Sequence, residues 1–311
     1  MIPRPSARLS LVAGVVALLA ASRAEAYVRY KTSKGLGFFW PQTCVPVSVY
    51  PASMTDENGN MEMTPDSIVH ATSAAAAAWS AGQNACTFFN IVVTAPSEPT
   101  PKASLDYTNA VVFRTTNWCA PSDPPGSCSY AVEALAITSV FVDKANGRII
   151  DGDIEVNVRY FLWTDLDTDP TGKGKQDLQN ALTHEMGHLA GLDHTCFVSG
   201  NPDPVDNTGT PVPNCDSAPE AVQETTMFAS AIPGDTAKRT LAPDDIQAIC
   251  DIYPIASDPM KCPVKDEAAT GTSCRCEAAG RPGGAARAGS IFGALALLLS
   301  LRRRRRRDGR P

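Results

Sequence analysis

Residues 184 to 194 read His184-Glu185-Met186-Gly187-His188-Leu189-Ala190-Gly191-Leu192-Asp193-His194. Two histidines four positions apart on a helix project from one face, about 40° apart by the helical period, so both imidazoles can reach one metal ion. Glu185 sits beside them, where its carboxylate can accept a proton from water at that metal without taking a ligand position. Gly191 is free to adopt positive φ, which lets the chain leave the helix sharply and return a third imidazole, His194, to the ion. Three neutral nitrogens leave one position for water, the pattern of a catalytic zinc site and not of a closed structural one. Ordinary residue frequencies produce this pattern by chance in about 1 chain in 100,000 of such length, so a surface helix with incidental histidines is a poor account of it.

The surrounding composition is that of an ordinary globular protein, 43% hydrophobic and 19% charged over 311 residues. Residues 1–26 have the form of a signal peptide: Arg4 and Arg8, an apolar run from Leu9 to Ala21, then Ala24-Glu25-Ala26 as a small-x-small cleavage site. The apolar run is too short to cross a bilayer core. All ten cysteines lie beyond this leader, which fits an oxidising compartment. Cys119 and Cys128 bracket one Pro/Ser/Gly loop and Cys196 and Cys215 another, so these two pairs are expected as disulfides. Between Tyr27 and Cys276 there are 30 acidic side chains against 15 basic ones, a body that repels nucleic acid.

Along the body, Val45 to Tyr50 alternates as a first strand, with Pro46 leaving its ladder incomplete at the start. Thr64-Pro65-Asp66 sets an N-cap, a first-turn proline and a first-turn acid, predicting a helix over about 65–81 whose Ala74 to Trp79 face packs on a sheet. His70, alone on that helix, reads as a structural residue. Strands are predicted for Cys86 to Thr94 and Ala110 to Arg114, and a hairpin for Ala131 to Val142 and Arg148 to Val158 through Asn146-Gly147. The active-site helix is expected over about 175–190. Asp165, Asp167 and Asp169 have an alternate-position spacing that allows calcium (Ca2+), although Pro170 stands where an EF-hand loop needs glycine. A solvated acidic loop is the plainer reading, and Asp151 and Asp153 share the ambiguity. The segment to about 224 is irregular, and Leu241 to Cys250 carries a proline and acids in the first turn of a last helix. Together these elements predict an α+β domain over 27–254, a twisted mixed sheet with a backing helix and an active-site helix, above an irregular lower region that ends in a C-terminal helix.

The zinc motif, Met227 in Glu224-Thr225-Thr226-Met227-Phe228, and the last helix resemble the metzincin metalloproteases, and Thr195 after the third histidine resembles the matrixins among them. The resemblance covers about Phe39 to Tyr253. It implies a zincin fold, one catalytic zinc (Zn2+) held by His184, His188 and His194, Glu185 as general base, a methionine turn packed beneath the ligands, and an edge strand at Leu135 to Val142 that pairs with a peptide or protein substrate. Three features depart from the matrixin pattern. Only His70 remains for a second, structural zinc; Cys44, in Thr-Cys-Val-Pro, is no cysteine switch; and Phe228-Ala229 replaces the usual proline two after the methionine.

Residues 255–276 read as a linker and 277–311 as a tail, with the apolar run Ala288 to Leu301 ahead of Arg302 to Arg307. Cys274-Arg275-Cys276, a spacer, an apolar segment and an arginine cluster resemble the myxobacterial C-terminal sorting signal. That implies transient inner-membrane association with the arginines inside, a sorting machinery as partner, and an exported protein that ends on the cell surface or secreted. The expected activity is zinc-dependent endopeptidase hydrolysis; the alternative is a surface-anchored binding or adhesion protein on an inactive protease fold, which would not need Glu185.

Overall fold

A computed structural model describes residues 26–55, 61–95, 102–198 and 204–262. The chain divides after Lys265 into a body and a C-terminal unit. The leader and the tail, with Cys274, Cys276 and Arg302 to Arg307, lie outside the described residues.

In chain order the body comprises β1 (Val28–Arg29), β2 (Cys44–Val49), α1 (Pro65–Trp79), β3 (Asn90–Thr94), β4 (Ala110–Arg114), β5 (Ala136–Asp143), β6 (Arg148–Asn157), β7 (Trp163–Thr164), β8 (Gln176–Asp177), α2 (Leu178–Leu189), β9 (Leu192–Asp193), α3 (Glu220–Gln223) and α4 (Pro243–Ile252). This is an α+β protein. Its main sheet has the order β3-β2-β4-β6-β5, parallel throughout except for β5, which runs antiparallel along one edge. Val45, Val47, Ile154 and Val156 are buried in it, and α1 and α2 complete the core through Ile68, Trp79, Leu178, Leu182 and Met186.

Local chemistry sets the element ends. Thr64 caps α1 by accepting from Ser67 N at 3.2 Å, worth about 1 kcal/mol, and the helix stops at Trp79, two residues short of expectation. Trp79 packs on α2 as well as within the core: its indole Nε1 donates to Thr183 O at 2.7 Å. The predicted active-site helix begins later, at Leu178, because Asp177 caps it by accepting from Asn180 N at 2.8 Å. Residues 86–89 leave the predicted strand to pair with the end of α4, Phe88 N donating to Tyr253 O at 3.0 Å. The hairpin turns as expected, with Gly147 at φ +79°, but β5 begins only at Ala136. Pro46 faces β4 before that ladder starts at Ser48, as its missing N–H requires.

Four disulfides are present among the described residues. Cys119–Cys128 and Cys196–Cys215 are the expected pairs; Cys44–Cys262 and Cys86–Cys250 join distant parts of the chain. Cys44 is thus a structural half-cystine. Its partner moves the end of the body: the stretch from Ile255, expected to begin a linker, stays attached as far as Cys262, with Thr43 N donating to Lys261 O at 2.9 Å. Among the described residues no helix is long and apolar enough to cross a membrane.

Candidate metal centre

Helix α2 carries His184 and His188 on one face, and the chain leaves it through Gly191 at φ +98°. A Cβ there would also stand 2.8 Å from Phe38 O, so both conformation and space demand glycine. The turn delivers His194, whose Nε2 lies 3.1 Å from Nε2 of His184 and 3.1 Å from Nε2 of His188. Behind the cluster, His184 Nδ1 donates to Thr226 O at 2.7 Å and His188 Nδ1 to Leu192 O at 2.9 Å. Carbonyls only accept, so these bonds place the protons on Nδ1 and leave both Nε2 atoms as lone pairs. His194 Nε2 can donate to at most one of them. Nitrogen lone pairs facing one another at 3.1 Å repel without a cation between them. The donor set therefore fits a metal: four-coordinate zinc with nitrogen ligands at about 2.05 Å sets them about 3.3 Å apart. Burial, then the neighbouring imidazoles and Lys238, hold the pKa values of His184 and His194 well below the usual histidine value, which keeps both neutral and ready to ligate.

Glu185 is buried next to this ring. Burial raises its carboxyl above the ordinary range, opposed by His188, by Thr138 and by Lys238. The Thr138 hydroxyl, on β5, donates to Glu185 Oε2 at 2.6 Å. Oε1 has no partner among the described residues. Beneath the helix, Met227 is buried with its sulfur against Gly187, where a Cβ would also collide with Trp79. Asp245 Oδ2 holds the same turn by accepting from Thr226 N at 3.0 Å.

A cavity of about 360 Å³ opens in front of the histidines, lined by Tyr30, by Leu135 to Thr138 of the edge strand and its approach, by Phe228 to Ala231, and by Lys238. The three histidines, Glu185 and the edge strand singled out in the sequence are brought together here. Sequence reasoning missed Tyr30, Thr138 and Lys238. Tyr30 is brought in because β1 pairs with β9, and its hydroxyl lies 3.4 Å from His188 Nδ1; only the pairing of segments more than 150 residues apart reveals it. Lys238 stands beside Arg239, a pair that in sequence looks like a solvated basic surface.

The acidic clusters are bonded to groups of the protein itself. Asp165 and Asp167 meet Arg239, at 3.3 and 2.5 Å, and Asp165 also bonds His70 Nδ1 at 2.7 Å. His70, Asp165 and Asp167 still place their ligand atoms close enough together to be a second group that could hold a metal. Asp169 turns away to Thr171 at 2.5 Å. Asp151 and Asp153 are buried and accept backbone N–H bonds from Ser104, Asp106, Tyr107 and Ala110 at 2.7 to 3.0 Å, organising the loop ahead of β4. Comparison of the sequence with family models finds no match, and comparison with curated proteins finds none either.

Proposed function

We propose that this protein is an exported zinc endopeptidase with the metzincin fold, of matrixin-like type. The observation that carries the reading is the ring of three imidazole Nε2 atoms, each of the two helix histidines fixed in tautomer by a carbonyl, with the Glu185 carboxylate on the same helix turn and a cavity open in front. His184, His188 and His194 would hold the zinc. Bound there, zinc would supply Lewis acidity to the attacking water and the scissile carbonyl. Glu185 takes the proton of that water on Oε1, since Oε2 is held by Thr138, and passes it to the leaving amine. Its raised pKa suits both halves of the transfer. Among the described residues β5 is an edge strand, and it borders the cavity, which suits an extended peptide added as a further strand. A purely adhesive role explains neither the buried Glu185 nor its bond to Thr138.

Export to the cell surface or the medium is part of the same proposal. The four disulfides support an oxidising compartment, and the leader and the arginine-ended tail support the route. The test is cleavage of a peptide library by the exported protein, with and without a chelator. Chelator-sensitive endoproteolysis restored by added zinc is expected; cleavage indifferent to the chelator would remove the metal from the reaction.

A further inference from the structure

Lys238 is a buried cation with no carboxylate at salt-bridge distance among the described residues. It is only 4% exposed, yet it lines the cavity that holds the three histidines and Glu185. Its Nζ donates to Phe228 O and lies 5.4 Å from the centre of the Phe228 ring. That carbonyl is the single acceptor among the described residues for a group with three N–H donors, and no acid there comes within salt-bridge distance. Of the nearby acids, Asp245 Oδ2 is bonded to Thr226 N and Ala242 N, and Glu185 Oε2 to Thr138; Asp245 Oδ1 is left without a hydrogen-bond partner among the described residues but lies beyond salt-bridge distance of Nζ. Lysine is rarely buried unless paired, because an uncompensated charge in a low-dielectric site is costly. Burial accordingly pulls the Lys238 pKa down to about 8, with Asp235, Asp245 and Glu185 pulling it back only in part.

The rest of the cavity wall gives that charge a direction. Leu135, Ala136, Ile137 and Ala181 are apolar, and Ala229, Ser230 and Ala231 are small. A ligand side chain entering past them meets Lys238, the one lysine or arginine of a lining whose acids are Glu185 beside the histidines and the exposed Glu133. We propose that Lys238 makes this cavity a subsite for a carboxylate, that of an aspartate or glutamate next to the scissile bond, an inference that rests on the endopeptidase reading. The carboxylate would supply the missing counter-charge and accept the N–H donors that Phe228 O leaves over. The peptide's own terminal carboxylate has the same chemistry and is separated by the test.

The experiment uses the full exported chain and matched peptides that differ only in Glu or Gln on either side of the bond, each with a free or an amidated C-terminus. At one of the two positions, the Glu peptide should exceed its Gln partner in kcat/KM by about 100-fold, and Lys238→Met should bring that ratio to about 1. Lys238→Met losing both peptides equally would mean that the lysine only props the Phe228 turn, and would overturn the proposal. Should Lys238→Met fail to fold, the wild-type ratio decides alone: equal rates on Glu and Gln overturn the proposal. A preference that vanishes on amidation assigns the carboxylate to the chain end. The same peptides are also titrated calorimetrically into the Glu185→Ala chain, which separates the two readings. Carboxylate-dependent binding supports the subsite even where no peptide is cut, equal affinity for Glu and Gln overturns it, and absence of cleavage by the wild type counts against the peptidase reading alone.

Discussion

Thr138, on the outer strand of the sheet, donates its hydroxyl to Glu185 Oε2 at 2.6 Å and so ties the edge that faces the cavity to the helix behind it. In the proposed reaction the bond leaves Oε1 as the carboxylate oxygen that moves the proton. A hydrogen bond to a charged group contributes about 1.5–3 kcal/mol, so Thr138→Val should lower kcat roughly 10- to 100-fold with the fold intact, while Thr138→Ser should keep most of it. Equal activity of the Val and Ser variants would show that the hydroxyl does not position Glu185.

The methionine turn makes its own demand on the helix. A Cβ on Gly187 would collide with the Met227 sulfur and with Trp79, all three buried together under the histidines. Alanine favours a helix over glycine by about 1 kcal/mol, but overpacking a core costs about 1–3 kcal/mol, so Gly187→Ala should lower the melting temperature and loosen the ligands. Thermal melting read by circular dichroism checks it; an unchanged or raised Tm would mean that the turn yields freely.

Stability should fall on the alkaline side through Asp153. Burial first, and then the charge of Asp151, raise its pKa from the ordinary carboxylate value to about 8. The folded state therefore keeps a proton that the unfolded chain releases, and the stability this contributes is fully present below about pH 4 and is lost as pH rises through about 8. The groups around it are Asp151, Asp106 and the backbone N–H donors of Ser104 and Ala110. Melting profiles between pH 5 and 9 should slope downward less steeply for Asp153→Asn than for the wild type. Parallel slopes would remove Asp153 as the cause.

Metal stoichiometry should be one tightly held zinc per chain. The other candidate cluster, His70 with Asp165 and Asp167, already has the guanidinium of Arg239 against both carboxylates, and His70 is exposed. Elemental analysis after dialysis would contradict this if it found two zinc ions.

Much of the site was legible because its ligands are local. Spacing within an eleven-residue stretch places His184, His188 and His194 together, and a glycine at φ +98° is the one backbone condition it needs. Strand β4 and the caps of α1 were equally local. What stayed hidden depends on long-range pairing: Tyr30 enters through β1 against β9, Lys238 through the return of the chain past the methionine turn, and Cys44 through a partner 218 residues away. The aspartates misled in part because periodic spacing shows where oxygens could point, while Arg239, more than 70 residues on, decides what they meet.

The central claim, that Glu185 moves the proton and the histidines alone hold the metal, is tested most directly by measuring zinc content and peptide cleavage together on Glu185→Ala. One zinc per chain, as in the wild type, with peptidase activity reduced by several orders of magnitude, is the expected result, whereas His188→Ala should lose metal and activity together. A zinc-loaded Glu185→Ala protein that still cleaves peptides at the wild-type rate would contradict it.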